Sequence, residues 1–495
     1  MIVAVALLAV FGMAVLLIYK YHSTYWRRRG IPGPESTIFL GNPMALDGND
    51  YHFSLQLRDW TKKYGSVYGV QEGWRNVLVV SDPDMLYELF VKKFEAFHAR
   101  KLISLSPPPE NENYVHTFFA RGLRWKRLRN FVVAPFTSGN MKKMYPAVNQ
   151  CIMEAVGRIK NHAKAVKPVN LLTHFQELTM SVIVKISYGL KDFNPTDPEH
   201  QKLINQARRV FERAGMTTMT KITNAVPGLI HILWPIFLAL RKPLDEPTLY
   251  LENYLNDVVT KRKADRASGK HNPDNFTDFI DIFLDAEADC TDTCSEMGDF
   301  KVEKKLTHKE VVSMCFLVLL AGYDTTASTM TLAAYCIAKN PRVQKKIQEE
   351  IDEVCGPNQE VTYEHLGRLR YLKNVCKEAM RMYPAGPLAV SRQAMKDTYL
   401  GDVKIQKNTY VQAELLTVHY DKTIWGPDAD EFKPERWDNE EKRHQMAWLS
   451  FGAGPRICAG MRLANIEQEL LFVHLLRESS LELNPKTRRT ERHAT

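Results

Sequence analysis

The stretch FGAGPRICAG, residues 451–460, decides how this chain is read. It sets one cysteine, Cys458, among residues that suit a metal-bound thiolate beside a flat cofactor. Gly454 and Gly460 allow turns and close backbone approach. Arg456 can pair with a carboxylate of the cofactor, and Phe451 can pack beside the loop. The following run, MRLANIEQELLFVHLL, reads as an amphipathic helix whose first N–H groups point at the sulfur and lower its pKa. A thiolate on haem iron pushes electron density toward the trans ligand and favours O–O cleavage, so the reading implies oxygen activation rather than oxygen storage or electron transfer. A structural cysteine in a Gly-rich turn is the plainer account of Cys458 taken alone, because free cysteine is commonly buried.

The full pattern F-x-x-G-x-R-x-C-x-G resembles the ligand loop of the cytochrome P450 family, and every fixed position is filled here. Upstream, KEAMRMYP places Glu378 and Arg381 three residues apart on one face of an expected helix. Alone, such a pair is an ordinary surface ion pair worth about 0.3–0.5 kcal/mol. FKPERW follows with Arg436, and the resemblance then implies a structural Glu378, Arg381, Arg436 triad beneath the haem.

Between these landmarks and the N-terminus runs VVSMCFLVLLAGYDTTASTMTLAAYCIA, residues 311–338, too long for a strand and carrying an acid and two hydroxyls in mid-helix. Buried polar groups there are costly without a purpose. Small residues Ala321 and Gly322 precede Asp324 and Thr325, so the helix can open toward dioxygen while acid and alcohol relay protons. The other account is a threonine bonding back to its own i−4 carbonyl, for Thr326 and Thr325 alike. The run resembles the family's oxygen-binding helix. Haem-thiolate isomerases of endoperoxides or hydroperoxides need no proton delivery, and the acid–alcohol pair favours monooxygenation.

RWKRLRN puts Trp125 and Arg129 at i and i+4, where both can reach a haem propionate. The resemblance adds Arg100, in FHARK, and Arg392, in VSRQ. Arg124, Lys126 and Arg127 read as a solvated basic face that would also suit an acidic reductase. The expected pocket walls are residues 101–119, 313–321 and 385–389, apolar with few polar anchors, which suits a lipophilic substrate.

Residues 2–19 carry no charge and make roughly 27 Å of helix, nearly a bilayer's span. Lys20 and Arg27, Arg28 and Arg29 follow, so the positive-inside rule keeps the body cytosolic. A cleaved signal peptide would place positive charge before the apolar core instead. The segment GIPGP, residues 30–34, reads as a stiff hinge. A second apolar stretch, residues 225–240, is interrupted by Pro227 and Pro235 and reads either as an interfacial segment, with Trp234, Arg241 and Lys242 at the headgroups, or as core.

The remaining composition sets limits. Eight cysteines scattered through 495 residues facing cytosol do not make a disulfide framework. Cys290 and Cys294 lack the partners of a zinc site, and the sequon at Asn275 faces the wrong side for glycosylation. A net charge of +9 comes with no nucleic-acid motif. The acidic segment 285–305 reads as a surface loop rather than a linker. The expected organisation is a transmembrane anchor over 1–20, a basic proline-rich hinge over 21–34 and one catalytic domain over 35–495.

The expected fold is mainly α with a small β-sheet subregion. Helices are expected over 137–159, in the run before Asn340, over 340–356 and after Cys458, with strands at 66–70, 76–80 and 403–405 and the sheet in the N-terminal third. Resemblance runs from the proline hinge to the ligand loop and is nearest to the microsomal, broad-specificity, xenobiotic-metabolising clan of vertebrates, insects and nematodes. It implies haem b on Cys458, NADPH-cytochrome P450 reductase and cytochrome b5 as electron partners, and the endoplasmic reticulum membrane as location. Only 37 residues follow Cys458, fewer than the family's last strands require, so those strands are expected to be missing or altered after about 480. An inactive lipid-binding paralogue is the third functional class in play.

Overall fold

A computed structural model describes residues 1–42, 53–102, 106, 108–165, 168–212, 218–271, 278–288, 305–356, 359–438 and 443–485. Its longer helices are, in chain order, α1 (Ile2–Ser23), α2 (Phe53–Tyr64), α3 (Gly122–Val133), α4 (Ser138–Lys164), α5 (Leu171–Tyr188), α6 (Pro198–Glu212), α7 (Ile230–Leu240), α8 (Pro247–Ala267), α9 (His308–Lys339), α10 (Pro341–Cys355), α11 (Arg370–Met382) and α12 (Met461–Leu476). The sequon at Asn275, Cys290 and Cys294, most of the 285–305 segment and residues 486–495 lie outside the described residues.

The long apolar run becomes α9, started by a capping box in which Thr307 Oγ1 accepts from the Glu310 N–H and Glu310 Oε2 accepts from the Thr307 N–H. Asn340 and Pro341 end it. The helix passes through the core against α5, α8, α11 and α12. α12 is buried on nearly every side, with Glu467 and Gln468 as enclosed as Leu470 and Phe472, so it is a core helix and not the amphipathic one expected. Its position between α4, α9 and α11 leaves it no solvated face.

Short strands build two sheets. β1 (Val67–Glu72) and β2 (Arg75–Val80) form an antiparallel hairpin; β3 (Ser391–Gln393), β4 (Thr398–Leu400), β5 (Val403–Ile405) and β6 (Tyr410–Ala413) come much later. The order is β1-β2-β6-β3, with β2 and β6 parallel (Val77 opposite Tyr410) and β3 antiparallel to β6; β4 and β5 form the second sheet. The sheet therefore joins the two ends of the sequence instead of sitting in the N-terminal third. β1 and β2, expected as short alternating strands with one solvated face, are buried on both faces. Among the described residues no strand follows α12; Leu481 is tied to Gln344 of α10 through its N–H and carbonyl.

The basic face expected on α3 is not solvated. Arg124 and Arg127 are buried and converge on Glu310: Arg124 Nε donates at 2.9 Å, and Arg127 Nη1 and Nη2 donate at 2.8 and 2.9 Å. Arg124 also donates to the carbonyls of Pro109, Glu112 and Asn113, tying the loop before α3 to the start of α9. Burial opposes ionisation of Glu310, but the Arg127 hydrogen bond and charge, the Thr307 N–H and Arg124 overcome it and hold the carboxyl below its ordinary range.

α1 is 22 residues long, apolar and without a buried residue. Its last turns touch the body: the Tyr19 hydroxyl donates to the Ala225 carbonyl, and His22 stacks on Trp74 at 4.1 Å. Tyr25 and Trp26 are buried, and Trp26 fills the space where Gly69 lacks a Cβ. The segment read as a hinge is held to the sheet, since Gly69 donates its N–H to the Pro32 carbonyl. α7 has no buried residue and leaves Ile232 60% exposed, which removes the core reading of 225–240. Arg241 is committed to Glu246 and Glu252, so its charge is already paired.

Replacing Glu310 with Ala leaves two buried guanidiniums unpaired and should destabilise the protein on the order of 3–5 kcal/mol, read as a shift in the denaturant midpoint. Because the folded carboxyl titrates below its unfolded value, its contribution is complete above the ordinary glutamate range and fades as pH falls through the folded pKa. Glu310→Gln should lack that acid-side loss.

Candidate active site

Gly454 begins the turn that presents Cys458. It adopts φ +68°, and a Cβ there would stand 2.0 Å from the Phe90 carbonyl oxygen, so only glycine fits. Gly460 is different: its φ is ordinary and a Cβ would make normal contact with Phe136, so neither the turn nor a close approach requires glycine there. The Cys458 N–H donates to the Phe451 carbonyl at 2.9 Å, closing the loop on itself. Protein encloses Cys458, yet its surface remains accessible. Burial raises the thiol's pKa, while the N–H groups of Gly460 and Met461 and the charges of Arg129 and Arg100 pull it down. The helix-start N–H groups thus act in the expected direction, but desolvation outweighs them.

Around this loop stand the other predicted residues. Arg456 is buried over the Trp125 ring at 4.6 Å and donates to the carbonyls of Thr117, Phe118 and Ala120. Arg100 donates to the Ala389, Phe118 and Arg456 carbonyls, and Arg129 to the Ile457 carbonyl at 2.6 Å. Arg392 lies over Phe90 at 4.6 Å. Arg121, which sequence reasoning passed over, donates to Gln393 beside them. Among the described residues, no carboxylate pairs with Arg100, Arg129, Arg392 or Arg456, and the Nε atoms of Arg392 and Arg456 have no partner.

Burial, then the like charges of Arg100, Arg392, Arg129 and Arg121, disfavours the charged form of Arg456. A guanidinium does not release its proton in proteins, so the cluster creates a demand for a bound anion. A haem, with two carboxylates and an iron that takes a thiolate, fits both the cluster and Cys458.

Glu378, Arg381 and Arg436 meet as one network. Arg381 grips Glu378 through two N–H groups at 2.9 and 2.8 Å, and Arg436 Nε reaches the same carboxylate at 2.8 Å. The Lys433 N–H and the Trp437 indole complete the shell, and both Glu378 and Arg381 are 0% exposed. The remaining arginine N–H groups hold the carbonyls of His419, Trp425, Asp428, Ala429 and Glu431. From Trp437 the rings of Trp448 and Phe451 follow edge to face at 6.1 and 5.8 Å, linking this network to the cysteine loop. His419 joins the two by position, Nδ1 on the Arg381 carbonyl and Nε2 on the Leu449 N–H, with burial pushing its pKa down to about 3.

At the middle of α9 Ala321 and Thr325 are exposed, Gly322 and Asp324 are half-buried, and Tyr323 and Thr326 are buried. Thr325 Oγ1 donates to the Ala321 carbonyl at 2.6 Å, the backbone bond weighed against a relay role, and Thr329 and Thr331 bond back in the same way. Such bonds bend a helix without using up the hydroxyl's acceptor lone pairs. Thr326 is buried instead. Asp324 accepts from Gln176 of α5. His116 stacks against Phe316 of α9 at 6.2 Å and near Phe119, giving the expected pocket wall one polar group held neutral by burial, its pKa pushed down to about 4. Two surface clefts of about 490 Å³, one at Tyr145 and Tyr363 and one at Arg266 and His308, contain none of these residues.

The sequence model of the family described as Cytochrome P450 matches residues 31–494. Three relatives from Caenorhabditis elegans, cytochromes P450 CYP13A8, CYP13A2 and CYP13A1, are 34%, 38% and 37% identical over 96% of this chain and 94%, 92% and 93% of their own lengths. Matches of that extent put the chain in the haem-thiolate class. It belongs to the cytochrome P450 family, and the helical body with its small sheets is the P450 fold.

Gly454→Ala should collapse the yield of folded protein, because the clash is with backbone. Glu378→Ala strands two buried arginines and should destabilise by on the order of 3–5 kcal/mol in denaturant unfolding. Glu378→Asp should recover only part of that loss.

Proposed function

We propose that this protein is a membrane-anchored monooxygenase that takes electrons from NADPH through a reductase and inserts one atom of O2 into a lipophilic substrate. The carrying observation is the exposed Cys458 beside Arg100, Arg129, Arg392 and Arg456, none of which pairs with a carboxylate among the described residues. Haem bound there would supply the oxygen-activating chemistry of a thiolate-ligated iron. Cys458 is the metal ligand. Arg100, Arg129, Arg392 and Arg456, with Trp125 beneath Arg456, would hold the cofactor's carboxylates. Phe451 and Gly454 shape the loop, and Glu378, Arg381 and Arg436 brace the segment behind it. Asp324 collects protons and Thr325 passes them inward, so oxygen is reduced in step with substrate rather than released as peroxide.

Among the described residues the substrate meets mostly hydrocarbon and aromatic surface from 114–119, α9 and 385–387, with neutral His116 as one polar anchor; xenobiotics are the class this suits best. α1 anchors the chain in the endoplasmic reticulum membrane with its body in the cytosol, and α7 rests on the same surface. The Tyr19 bond to Ala225 supports this, because it brings the end of α1 to the start of that exposed apolar region. The reductase, and cytochrome b5 as a second donor, dock on the thiolate side. Arg124 and Arg127 are too buried to receive them, which leaves Lys126 of that motif available.

Reduced membranes holding the protein should show a thiolate-type carbon-monoxide band, and Cys458→Ala should remove it. With reductase, NADPH use should rise on adding a lipophilic substrate, and Thr325→Ala should divert several-fold more of that NADPH into peroxide. Product formation from a peroxide without NADPH would instead establish the isomerase class.

Deleting residues 2–18 should leave residual binding to lipid vesicles, lost when Ile232 and Ile236 are both changed to Glu. Unchanged vesicle sedimentation in that variant would take α7 off the membrane.

A further inference from the structure

α9 and α5 interlock at three consecutive residues of α9. At Gly322 a Cβ would come 2.4 Å from Ile183 Cδ1, so the missing side chain of α9 is what makes room for the Ile183 side chain of α5. At Tyr323 the carbonyl accepts from Thr179 Oγ1 at 2.8 Å. At Asp324 the carboxylate Oδ1 accepts from Gln176 Nε2 at 2.9 Å. Gln176 and Thr179 are three residues apart on one face of α5, and Gln176 is only 6% exposed.

This contact settles where the acid sits. Successive helix residues point about 100° apart, so while Thr325 faces the accessible interior, Asp324 is turned toward α5. Acid and alcohol are adjacent in sequence but not aligned by the helix itself. The holder is a neutral amide. A Lys or Arg there would favour the charged carboxylate and resist its protonation, whereas an amide fixes the rotamer without a full opposing charge.

We infer that Gln176 is a positioning residue for Asp324, its Nε2–H bond setting how fast protons reach Thr325. A water takes the proton of the Asp324 carboxyl and passes one of its own to Thr325 Oγ1 as that hydroxyl turns from the Ala321 carbonyl and gives its proton inward, and solvent re-protonates the carboxylate; no electrons change hands. The inference rests on the monooxygenase reading and deepens it.

The test is a double-mutant cycle in the full-length, haem-loaded protein with reductase. Gln176→Met keeps the length and removes the donor. It should raise peroxide released per NADPH several-fold and enlarge the solvent deuterium isotope effect on NADPH oxidation, and neither should change further in an Asp324→Asn background. Gln176→Glu, which sets an acceptor against an acceptor, should act in the same direction and serves if the Met variant does not fold. Folded variants with wild-type coupling and isotope effect would overturn the inference, as would effects that simply add to those of Asp324→Asn.

A third arm reads urea midpoints of the four proteins. Non-additive shifts support the pairing and additive shifts overturn it. This arm holds even if the wild type consumes no NADPH, an outcome that would sink the monooxygenase reading separately.

Discussion

Buried positive charge organises this protein. Three clusters of arginine are withdrawn from water, and each must find negative charge, because a guanidinium cannot neutralise itself. Arg124 and Arg127 find it in Glu310, and Arg381 and Arg436 find it in Glu378. In the third cluster Arg121 at the edge reaches Glu110, but among the described residues Arg100, Arg129, Arg392 and Arg456 have carbonyl oxygens and no carboxylate. The first two are closed and structural, tying the loop before α3 to α9 and the segment 419–437 to α11. The third is open on the side of Cys458, and that difference separates scaffold from site.

The helices supply what the charges cannot. α9 crosses the core as one unbroken helix, without the opening expected at Ala321 and Gly322, while α5 supports it from behind through contacts that need Gly322 to be small and Thr179 and Gln176 to be polar. Thr325, Thr329 and Thr331 each bond back to the carbonyl four residues earlier, so their hydroxyls need no partner outside the helix.

Legibility differed by the range of the interaction. Cys458, Gly454, Arg456 and Phe451 lie within eight residues of one another, and the short-range spacing of Glu378 to Arg381 and of Trp125 to Arg129 is a helix-face signal. Thr307 and Glu310 also had a readable capping-box spacing, although nothing local said that Glu310 would take two arginines from α3. Those arginines looked like a solvated face because their partner lies more than 180 residues away. Gln176 gave no signal at all, being 148 residues from Asp324. The sheet was misplaced for the same reason: β2 and β6 pair in parallel across a gap that no periodicity spans.

From sequence alone came the chemistry of the site and the mainly helical class, because a ligand loop, helix caps and apolar runs are encoded by residues close together in the chain. Tertiary structure decided which charges are paired, which apolar helix is core and which is surface, and which way Asp324 points. Those are outcomes of burial and long-range contact, and they exist only once distant segments have excluded water from between them.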